Sequence, residues 1–145
     1  MNSSESKLNS KRILSKNLNF NDKKLKLIEE FVKEVLIFNK KYNLISQSSE
    51  KEIWERHVLD SAQLIKYINH KNFNSVADLG TGAGFPGILL SIFYSDILTF
   101  HVKLYEKSRV KITFLKGVVE NIYDGTRGFI ALFESEDREE EYKNN

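Results

Sequence analysis

The stretch Ala77–Leu90, "ADLGTGAGFPGILL", decides the fold of this chain. It contains four glycines and the only proline of the chain, between an apolar run that ends at Leu79 and a second one that follows Pro86. A proline is tolerated in the first turn of a helix, because the N–H that it lacks would have no partner there. The stretch therefore predicts a β-strand, a glycine turn that begins at Gly80, and a helix that begins near Pro86.

The segments that follow continue this alternation of strand and helix. Residues Leu98–Glu106 alternate apolar and polar side chains, as a half-buried strand does. Residues 108–122 have helical periodicity with Ser108 as N-cap, and Phe129–Phe133 is one more apolar run. Strand, turn, helix, strand and helix is the order of a parallel α/β sheet. Because only two or three strands can be identified, we expect the sheet to be incomplete.

The N-terminal half of the chain shows helical patterns and no strand pattern. From Asn21 onward, apolar residues recur at three- and four-residue steps. A second helix start is predicted at Ser49 and Glu52, which have the spacing of a capping box. Residues 1–20 are polar without a period, and we expect them to be loose. The predicted organisation is a loose basic arm at residues 1–20, a helical cap at 21–72 and an α/β domain at 73–145 with an acidic tail from about 123.

The composition excludes several kinds of chemistry. The 145-residue chain has no cysteine, which removes disulfides, cysteine metal sites and thiol catalysis. Its three histidines are scattered along the sequence, so we expect no metal site. No apolar run approaches the roughly 20 residues that a membrane-spanning helix needs. The polar N terminus lacks the apolar core of a signal peptide. We therefore expect a cytoplasmic protein with no membrane partner.

The glycine turn is compatible with two cofactors. Gly82, Gly84 and Gly87 spell the G-x-G-x-x-G fingerprint of dinucleotide-binding folds, whereas Asp78 and the glycines from Gly80 spell D-x-G-x-G-x-G. In the dinucleotide fold the first glycine directly follows the strand, and a third glycine comes five positions later. Here the strand ends before Gly80, and the residue five positions on is not glycine. The second pattern fits better and is typical of loops that bind S-adenosylmethionine; a nicotinamide-dependent oxidoreductase and a plain structural turn remain alternatives.

The chemistry of such a site follows from residue types. A bare glycine backbone can present N–H groups to the carboxylate of the methionine part. An acid at the end of the next strand can accept hydrogen bonds from both ribose hydroxyls. Glu106 is that acid, and together with Asp78 it makes the glycine loop more specific than the loop alone.

Several segments resemble the GidB/RsmG family of bacterial methyltransferases, which modify ribosomal RNA of the small subunit. "DLGTGAGFPGILLSI" is similar to the signature of that family, and "KLYEKSRVKITFLKGV" to its second strand and following helix. In the helical cap, "FNKKYNLIS" resembles a W-N-x-x-x-N-L-T segment and "ERHVLDSAQL" an R-H-x-x-D-S-L motif. These segments are Asp78–Ile92, Lys103–Val118, Phe38–Ser46 and Glu55–Leu64.

The resemblance implies a Rossmann-like class I fold and methyl transfer from S-adenosylmethionine to N7 of guanine 527 in 16S rRNA. It implies that Gly80 and Phe85 contact the cofactor, that Gly82 and Gly84 shape the loop, and that Glu106 lies near the ribose. The expected partner is 16S rRNA or the assembling small subunit, and we expect a monomer.

The resemblance further implies that His57, Asp60 and Ser61 line the site from the helical cap. By spacing alone these residues, at i, i+3 and i+4, share one face of a helix. A role in tying the cap to the sheet is an equally good interpretation. No catalytic residue is assigned from sequence.

The chain departs from the family after Ile122. The family continues with further strands and an S-R-A-type motif, to which nothing in the last 23 residues corresponds. We therefore assign no role to Arg127 or Arg138. A truncated or frameshifted reading frame would explain the departure, and an inactive fragment of the enzyme is the alternative prediction for this chain.

Overall fold

The computed structural model of the chain describes residues 2–122 and the backbone of residues 129–134. Most of the predicted acidic tail lies outside these residues. Besides α-helices and β-strands, this part of the chain contains a π-helical turn at Trp54–Leu59 and two short 3-10 turns, at Leu64–Tyr67 and Tyr94–Asp96. Its helices are α1 (Ser3–Leu18), α2 (Asp22–Asn39), α3 (Gln47–Lys51), α4 (Asp60–Gln63), α5 (Gly87–Phe93) and α6 (Arg109–Ile122), and its strands are β1 (Ser75–Leu79), β2 (His101–Glu106) and β3 (Phe129–Glu134).

The three strands form one parallel sheet in the order β1-β2-β3. Ser75 of β1 and Phe129 of β3 both lie opposite His101 of β2. The carboxyl ends of parallel strands therefore meet at one edge, where β1 runs into the glycine turn and β2 ends in Glu106. The predicted parallel α/β arrangement is confirmed for these strands, and so are the predicted positions of the three strands along the chain.

Among the described residues, one face of the sheet is packed against helices, and the other face is half-buried on β2 and exposed on β1. On β2 the side chains of Val102, Leu104 and Glu106 are buried; α5 packs against β2, α6 packs against β3, and α2 packs against both of these helices. On the opposite face of β1, Ser75 and Ala77 are exposed, and Leu79 is 76% exposed. The apolar core thus lies between the sheet and the helices, and it includes residues of the helical cap.

Helix α2 is fastened to α5 through a buried lysine. Lys24 is 8% exposed, and its Nζ donates to the carbonyl oxygen of Phe93, 2.6 Å away, in the last turn of α5. The same Nζ lies 2.7 Å from Oδ2 of Asp96. A cation suits this place because the carbonyl groups at a helix C terminus carry partial negative charge. This contact joins the helical cap to the helix that follows the glycine turn.

The prediction that residues 1–20 are loose is wrong. Residues Ser3–Leu18 form α1, which starts with a capping box between Asn2 and Glu5 and buries Leu14 completely. The buried stripe of α1 begins with two serines and continues as two leucines, at steps of four residues. Serine is not counted as apolar, so half of the helical period is invisible in a hydrophobicity pattern. The buried residues of the helix are Ser6, Ser10, Leu14 and Leu18.

The second predicted helix start is displaced by three residues. Asn21 caps α2 as expected, since its side chain accepts a hydrogen bond from Lys24 N at 2.9 Å. The N-cap of α3, however, is Ser46, whose hydroxyl accepts from the N–H of Ser49. Ser49 lies inside α3 and caps nothing. Three serines and two glutamates between residues 46 and 52 give overlapping capping patterns, and only the tertiary structure selects one.

Asn39 organises the turn that leads out of α2. Its Oδ1 accepts hydrogen bonds from the N–H groups of Leu44 at 2.8 Å and Ile45 at 3.0 Å, and its Nδ2 donates to Glu50. Asn39 is buried, as is Leu44. These bonds explain why an asparagine is needed in the "FNKKYNLIS" segment.

Replacing Asn39 by alanine should lower the free energy of unfolding by about 2 kcal/mol, because two backbone N–H groups would lose their acceptor in a largely buried turn. Urea denaturation measures the change. Asn43, which is exposed in the same turn, provides the matched control, and Asn43→Ala should stay within about 0.5 kcal/mol of the unaltered chain. Equal losses in the two variants would contradict this role for Asn39.

Candidate functional site

The glycine turn has the backbone shape that the sequence predicts. β1 ends at Leu79, and Gly80, Gly82 and Gly84 follow with φ angles of +72°, +61° and +98°. Residues with a Cβ rarely adopt such angles, whereas glycine does so at little cost. The three alternating glycines are therefore required by the path of the chain from β1 into α5.

Glu106 closes the turn from the end of β2. Its Oε2 accepts a hydrogen bond from Gly82 N at 2.9 Å, and its Oε1 accepts from Lys107 N and Ser108 N, each also at 2.9 Å. Burial alone would raise the pKa of this carboxyl group. The hydrogen bonds from Ser108, Gly82 and Lys107, with the charge of Lys111, outweigh burial and hold the pKa below its ordinary value. Glu106 is therefore an anion that fixes the loop.

The hydrogen-bonding capacity of Glu106 narrows one sequence prediction. A carboxylate offers about four lone pairs, two on each oxygen. Backbone N–H groups take both positions on Oε1 and one on Oε2. In this arrangement Glu106 can accept from one further hydroxyl group through Oε2, and not from two as we expected from sequence.

The backbone N–H groups of the loop are not all available to a ligand. The first three donate within the protein, two of them to the carbonyl oxygen of Tyr105, and Gly84 N donates to the carbonyl of Thr81. Among the described residues, no atom accepts from the N–H of Ala83 or of Phe85. These two groups are the donors that the loop can offer to an anion. The sequence pattern could not single out Ala83, because every residue of the turn has an N–H.

The three glycines differ in their surroundings. A Cβ on Gly80 would have no atom within 4 Å, and one on Gly82 would meet only a loop carbonyl at 4.0 Å. A Cβ on Gly84 would lie 2.6 Å from Cγ1 of Ile88, inside the core. Gly80 and Gly82 thus leave open space beside the backbone, whereas Gly84 allows close packing beneath the loop.

Thr81 is a further polar residue of the loop that the sequence analysis missed. It is 2% exposed, and its buried hydroxyl has no hydrogen-bond partner in the described part of the chain. Buried hydroxyl groups are nearly always paired, so this one is suited to a polar group of a ligand. The open space beside Gly80 and Gly82, the unpaired N–H groups of Ala83 and Phe85 and the unpaired hydroxyl of Thr81, all within the described residues, suit a small polar ligand at the loop.

Asp78 supports the helix that follows the turn. Its Oδ2 accepts a hydrogen bond from Gly87 N at 2.9 Å, at the start of α5. A Cβ on Gly87 would collide with Leu104 and with Asp78, so Gly87 permits the close approach of helix and strand. That is the role of the third glycine in dinucleotide-binding loops. The glycine that directly follows β1 is nevertheless Gly80, which retains the D-x-G-x-G-x-G register.

The structure brings His57 of the helical cap onto Phe85 of the loop. The two rings stack with centroids 5.1 Å apart and an interplanar angle of 29°. The other two predicted residues of the cap are placed differently, because Asp60 is exposed and Ser61 is buried. The spacing that predicts one shared face is that of an α-helix, whereas the chain is a π-helix over Trp54–Leu59, with i to i+5 hydrogen bonds, and resumes α-helical winding at Asp60.

The electrostatic surroundings keep His57 uncharged near neutral pH. Burial is the largest influence and lowers the pKa of the imidazole, the carboxylate of Asp60 opposes this shift, and the guanidinium of Arg56 reinforces it. The Nε2 atom is buried and has no hydrogen-bond partner among the described residues. A second proton on the ring would therefore add an unpaired donor if it went to this nitrogen.

Two other kinds of site have no counterpart in the residues that the structure describes. No group of three or more histidine, cysteine or acidic side chains lies close enough together to hold a metal ion. No helix in the same residues is both long and apolar enough to cross a membrane.

A glycine turn that leaves one parallel strand and is closed by an acid at the end of the next is typical of α/β folds that bind nucleotide-like cofactors. The family model described as "rRNA small subunit methyltransferase G", GidB, matches residues 24–142. This is most of the chain, and the chain therefore belongs to the GidB family of methyltransferases. The resemblance found in the sequence is confirmed. The expected departure from the family after Ile122 is wrong as stated, because the match continues to residue 142.

Individual relatives agree with the family match. A protein of Magnetococcus marinus named ribosomal RNA small subunit methyltransferase G is 44% identical over 103 residues, which cover 71% of this chain and 43% of the relative. Proteins of the same name from Rickettsia bellii and Bartonella henselae are 52% identical over 69 residues and 40% identical over 88 residues. These matches cover 34% and 40% of the respective relatives, so the chain spans less than half of their length.

Proposed function

We propose that this protein transfers a methyl group from S-adenosylmethionine to N7 of a guanine in 16S rRNA, guanine 527, on a Rossmann-like class I fold. The observation that carries the proposal is the hydrogen bond from Gly82 N to Glu106, which joins the glycine turn and the acid of the second strand in one site. The names of the relatives support the substrate class, since each is called a ribosomal RNA small subunit methyltransferase. In this proposal residues 21–72 form the helical cap and residues 73–145 belong to the cofactor domain.

The residues that would hold the cofactor are those whose hydrogen-bonding groups have no partner, or room for a further one, among the described residues. The N–H groups of Ala83 and Phe85 are suited to the methionine carboxylate, and Oε2 of Glu106 is suited to one ribose hydroxyl. The hydroxyl of Thr81 can pair with a further polar atom. When bound, S-adenosylmethionine supplies an electrophilic methyl group on a sulfonium centre.

The acceptor atom makes little demand on acid–base catalysis. N7 of a neutral guanine has a free lone pair and loses no proton when it is methylated. Alignment of the acceptor with the methyl group can then supply most of the acceleration. The task of this chain's residues in the proposed reaction is to bind and orient, which suits a loop held by Glu106 and packed against the helical cap.

The open space beside the backbone of Gly80 and Gly82 allows a direct test of cofactor binding at the loop. Gly80→Ala and Gly82→Ala should each weaken binding of S-adenosylmethionine at least about tenfold, because a methyl group at positive φ strains the loop and fills its open side. Titration calorimetry measures the affinity, with NADH as the comparison ligand. Binding of NADH in preference to S-adenosylmethionine would favour the oxidoreductase alternative, and unchanged affinity in both variants would remove the loop from the site.

The exposed face of β1 favours a second candidate, in which this chain binds the cofactor and does not transfer the methyl group. Parallel sheets are normally covered on both faces, and in the described part of the chain Leu79 is 76% exposed. Incubation of the 145-residue chain with small-subunit RNA and S-adenosylmethionine labelled in the methyl group separates the candidates. Label on a guanine supports transfer by this chain, and binding without label supports the second candidate.

A further inference from the structure

The stack of His57 on Phe85 joins two parts of the structure that are distant in sequence. His57 belongs to the π-helical turn of the helical cap, and Phe85 is the last residue of the loop before Pro86. The ring of Phe85 also packs against Phe31 of α2, with centroids 4.9 Å apart. Phe31 is completely buried and is one of the side chains that a Cβ on Gly84 would meet. Phe85 is therefore held between the imidazole of His57 and the core.

The loop has few other restraints at this end. Gly80 and Thr81 are tied to Tyr105, and Gly82 is tied to Glu106. The following residue, Ala83, makes no backbone hydrogen bond through its N–H within the described residues, and neither does Phe85. Between these two residues the backbone of Gly84 is hydrogen-bonded to Thr81 and Ile88, so it is the positions of Ala83 and Phe85 that depend on side-chain packing, above all that of the Phe85 ring.

We propose that His57 is a positioning residue for this loop: the imidazole, stacked on Phe85, holds the second half of the loop in the shape that presents the N–H groups of Ala83 and Phe85 to a ligand. His57 acts through Phe85 and need not touch the ligand itself. The nature of the ligand rests on the function proposed above, whereas the restraint on the loop does not. The two can therefore be tested separately.

The surroundings of His57 make this restraint sensitive to pH. Two charged groups act on the imidazole ring, the carboxylate of Asp60 and the guanidinium of Arg56. The ammonium group of Lys7, from α1, lies over the neighbouring Trp54, 5.7 Å from the ring centroid. The loop and α2 contribute only the uncharged rings of Phe85 and Phe31 to this cluster. Burial holds the pKa of His57 below its ordinary 6.5. The packed loop consequently favours the neutral ring, and an opened loop lets the ring take up a proton. Protection of the loop should be complete above pH 6.5 and should be lost as the pH falls through the lowered pKa.

Amide hydrogen exchange without ligand tests the restraint on the loop. His57→Ala should raise the exchange rates of the Gly84 and Ile88 amides, which are hydrogen-bonded to Thr81 and Gly84, about tenfold relative to the unaltered chain, and His57→Phe, which keeps a flat ring, should restore them to within about twofold. His70→Ala is the matched control. It also removes a histidine ring that contacts an aromatic residue, Tyr94 at 5.8 Å, but His70 lies near Ser75, at the opposite end of β1 from the loop. It should leave the exchange rates of the Gly84 and Ile88 amides unchanged.

The pH profile separates positioning from simple support of the fold. After correction for intrinsic exchange, loop protection in the unaltered chain should decline below pH 6.5, and in His57→Phe it should not. A similar rate increase in His57→Ala and His70→Ala, or an identical pH profile in His57→Phe, would overturn the proposal. If His57→Ala unfolds, exchange rises throughout the core and not only in the loop. In that case the pH profile of His57→Phe alone decides whether His57 positions the loop.

Affinity for S-adenosylmethionine completes the experiment. His57→Ala should weaken it about tenfold and His57→Phe less than about threefold, in line with the loss or retention of an aromatic pair. If the unaltered chain binds no S-adenosylmethionine while the exchange results stand, the proposed function fails and the positioning role survives. If the chain binds and His57→Ala binds equally well, the positioning role fails and the proposed function survives.

Discussion

Gly84→Ala should lower the free energy of unfolding by about 3 kcal/mol or more, since it combines overpacking of the core with a strained backbone. The added Cβ would lie 2.6 Å from Ile88 Cγ1 and 3.2 Å from both Leu115 and Phe31. These neighbours come from three different helices, so relief at one of them does not release the other two. The φ angle of +98° adds strain that no movement of side chains removes. Urea denaturation, followed by far-ultraviolet circular dichroism, measures the loss.

Gly117→Ala is the matched control for this prediction. Gly117 lies within α6, has no positive φ, and a Cβ there would meet nothing within 4 Å. The same chemical change should raise the stability by about 0.5–1 kcal/mol, because alanine restricts the unfolded chain and favours the helix. Effects of the same sign at Gly84 and Gly117 would contradict the packing described beneath the loop.

Glu106→Ala should have the largest effect on the site. It would leave the N–H groups of Gly82, Lys107 and Ser108 without their acceptor, at a cost of about 3 kcal/mol in unfolding free energy. Because the loop then loses its tie to β2, affinity for S-adenosylmethionine should fall about a hundredfold, as measured by calorimetry. The effects of Glu106→Gln should lie between those of Glu106→Ala and the unaltered chain. The amide keeps one acceptor oxygen, and its NH₂ group replaces the other oxygen with a donor that faces an N–H group.

Glu120→Gln is the control for the removed charge. Glu120 is exposed on α6, and its replacement should change stability by less than about 0.5 kcal/mol. The pH dependence gives an independent check on Glu106. Its pKa in the folded chain is lowered, so its contribution to stability should be fully present above the ordinary value of 4.5 and should be lost as the pH falls through the lowered pKa. The same acid dependence in Glu106→Gln and the unaltered chain would argue against the bonding described.

The parts of the fold that sequence predicted well are those whose signals are local. The start of α2 at Asn21, the turn from Gly80 and the helix near Pro86 each depend on residue types with strong backbone preferences. The strands follow from alternating or apolar runs next to that turn. In all these cases the residues that form the element also carry the signal for it.

The parts that sequence missed depend on what packs against them. α1 was expected to be loose because Ser6 and Ser10 are polar by type, although helix packing buries both. The π-helical turn at Trp54–Leu59 has no sequence signature, and the spacing argument for His57, Asp60 and Ser61 assumed an α-helix there. A hydrophobicity pattern records the average preference of a residue type and cannot record the surface that a particular neighbour supplies.

The candidate site was likewise predictable from sequence in its residues but not in the hydrogen bonds that they make. The glycines, Asp78 and Glu106 could be proposed from sequence, and the structure brings them together at the carboxyl edge of β1 and β2. Their individual tasks could not be proposed. Asp78 holds the first turn of α5, and Glu106 uses three of its four acceptor positions on the backbone. Hydrogen bonds of this kind depend on distances of a few tenths of an ångström between segments far apart in the chain.

By itself, the sequence determined the family, the order of the strands and helices along the chain, and the register of the glycine turn, because glycine and proline restrict the backbone wherever they occur. Only the tertiary structure decided which glycine is open and which is packed, which N–H groups remain free, and that His57 covers Phe85. The reason is physical: backbone preference belongs to a residue, whereas burial, hydrogen-bond satisfaction and pKa belong to the surroundings that folding assembles around it.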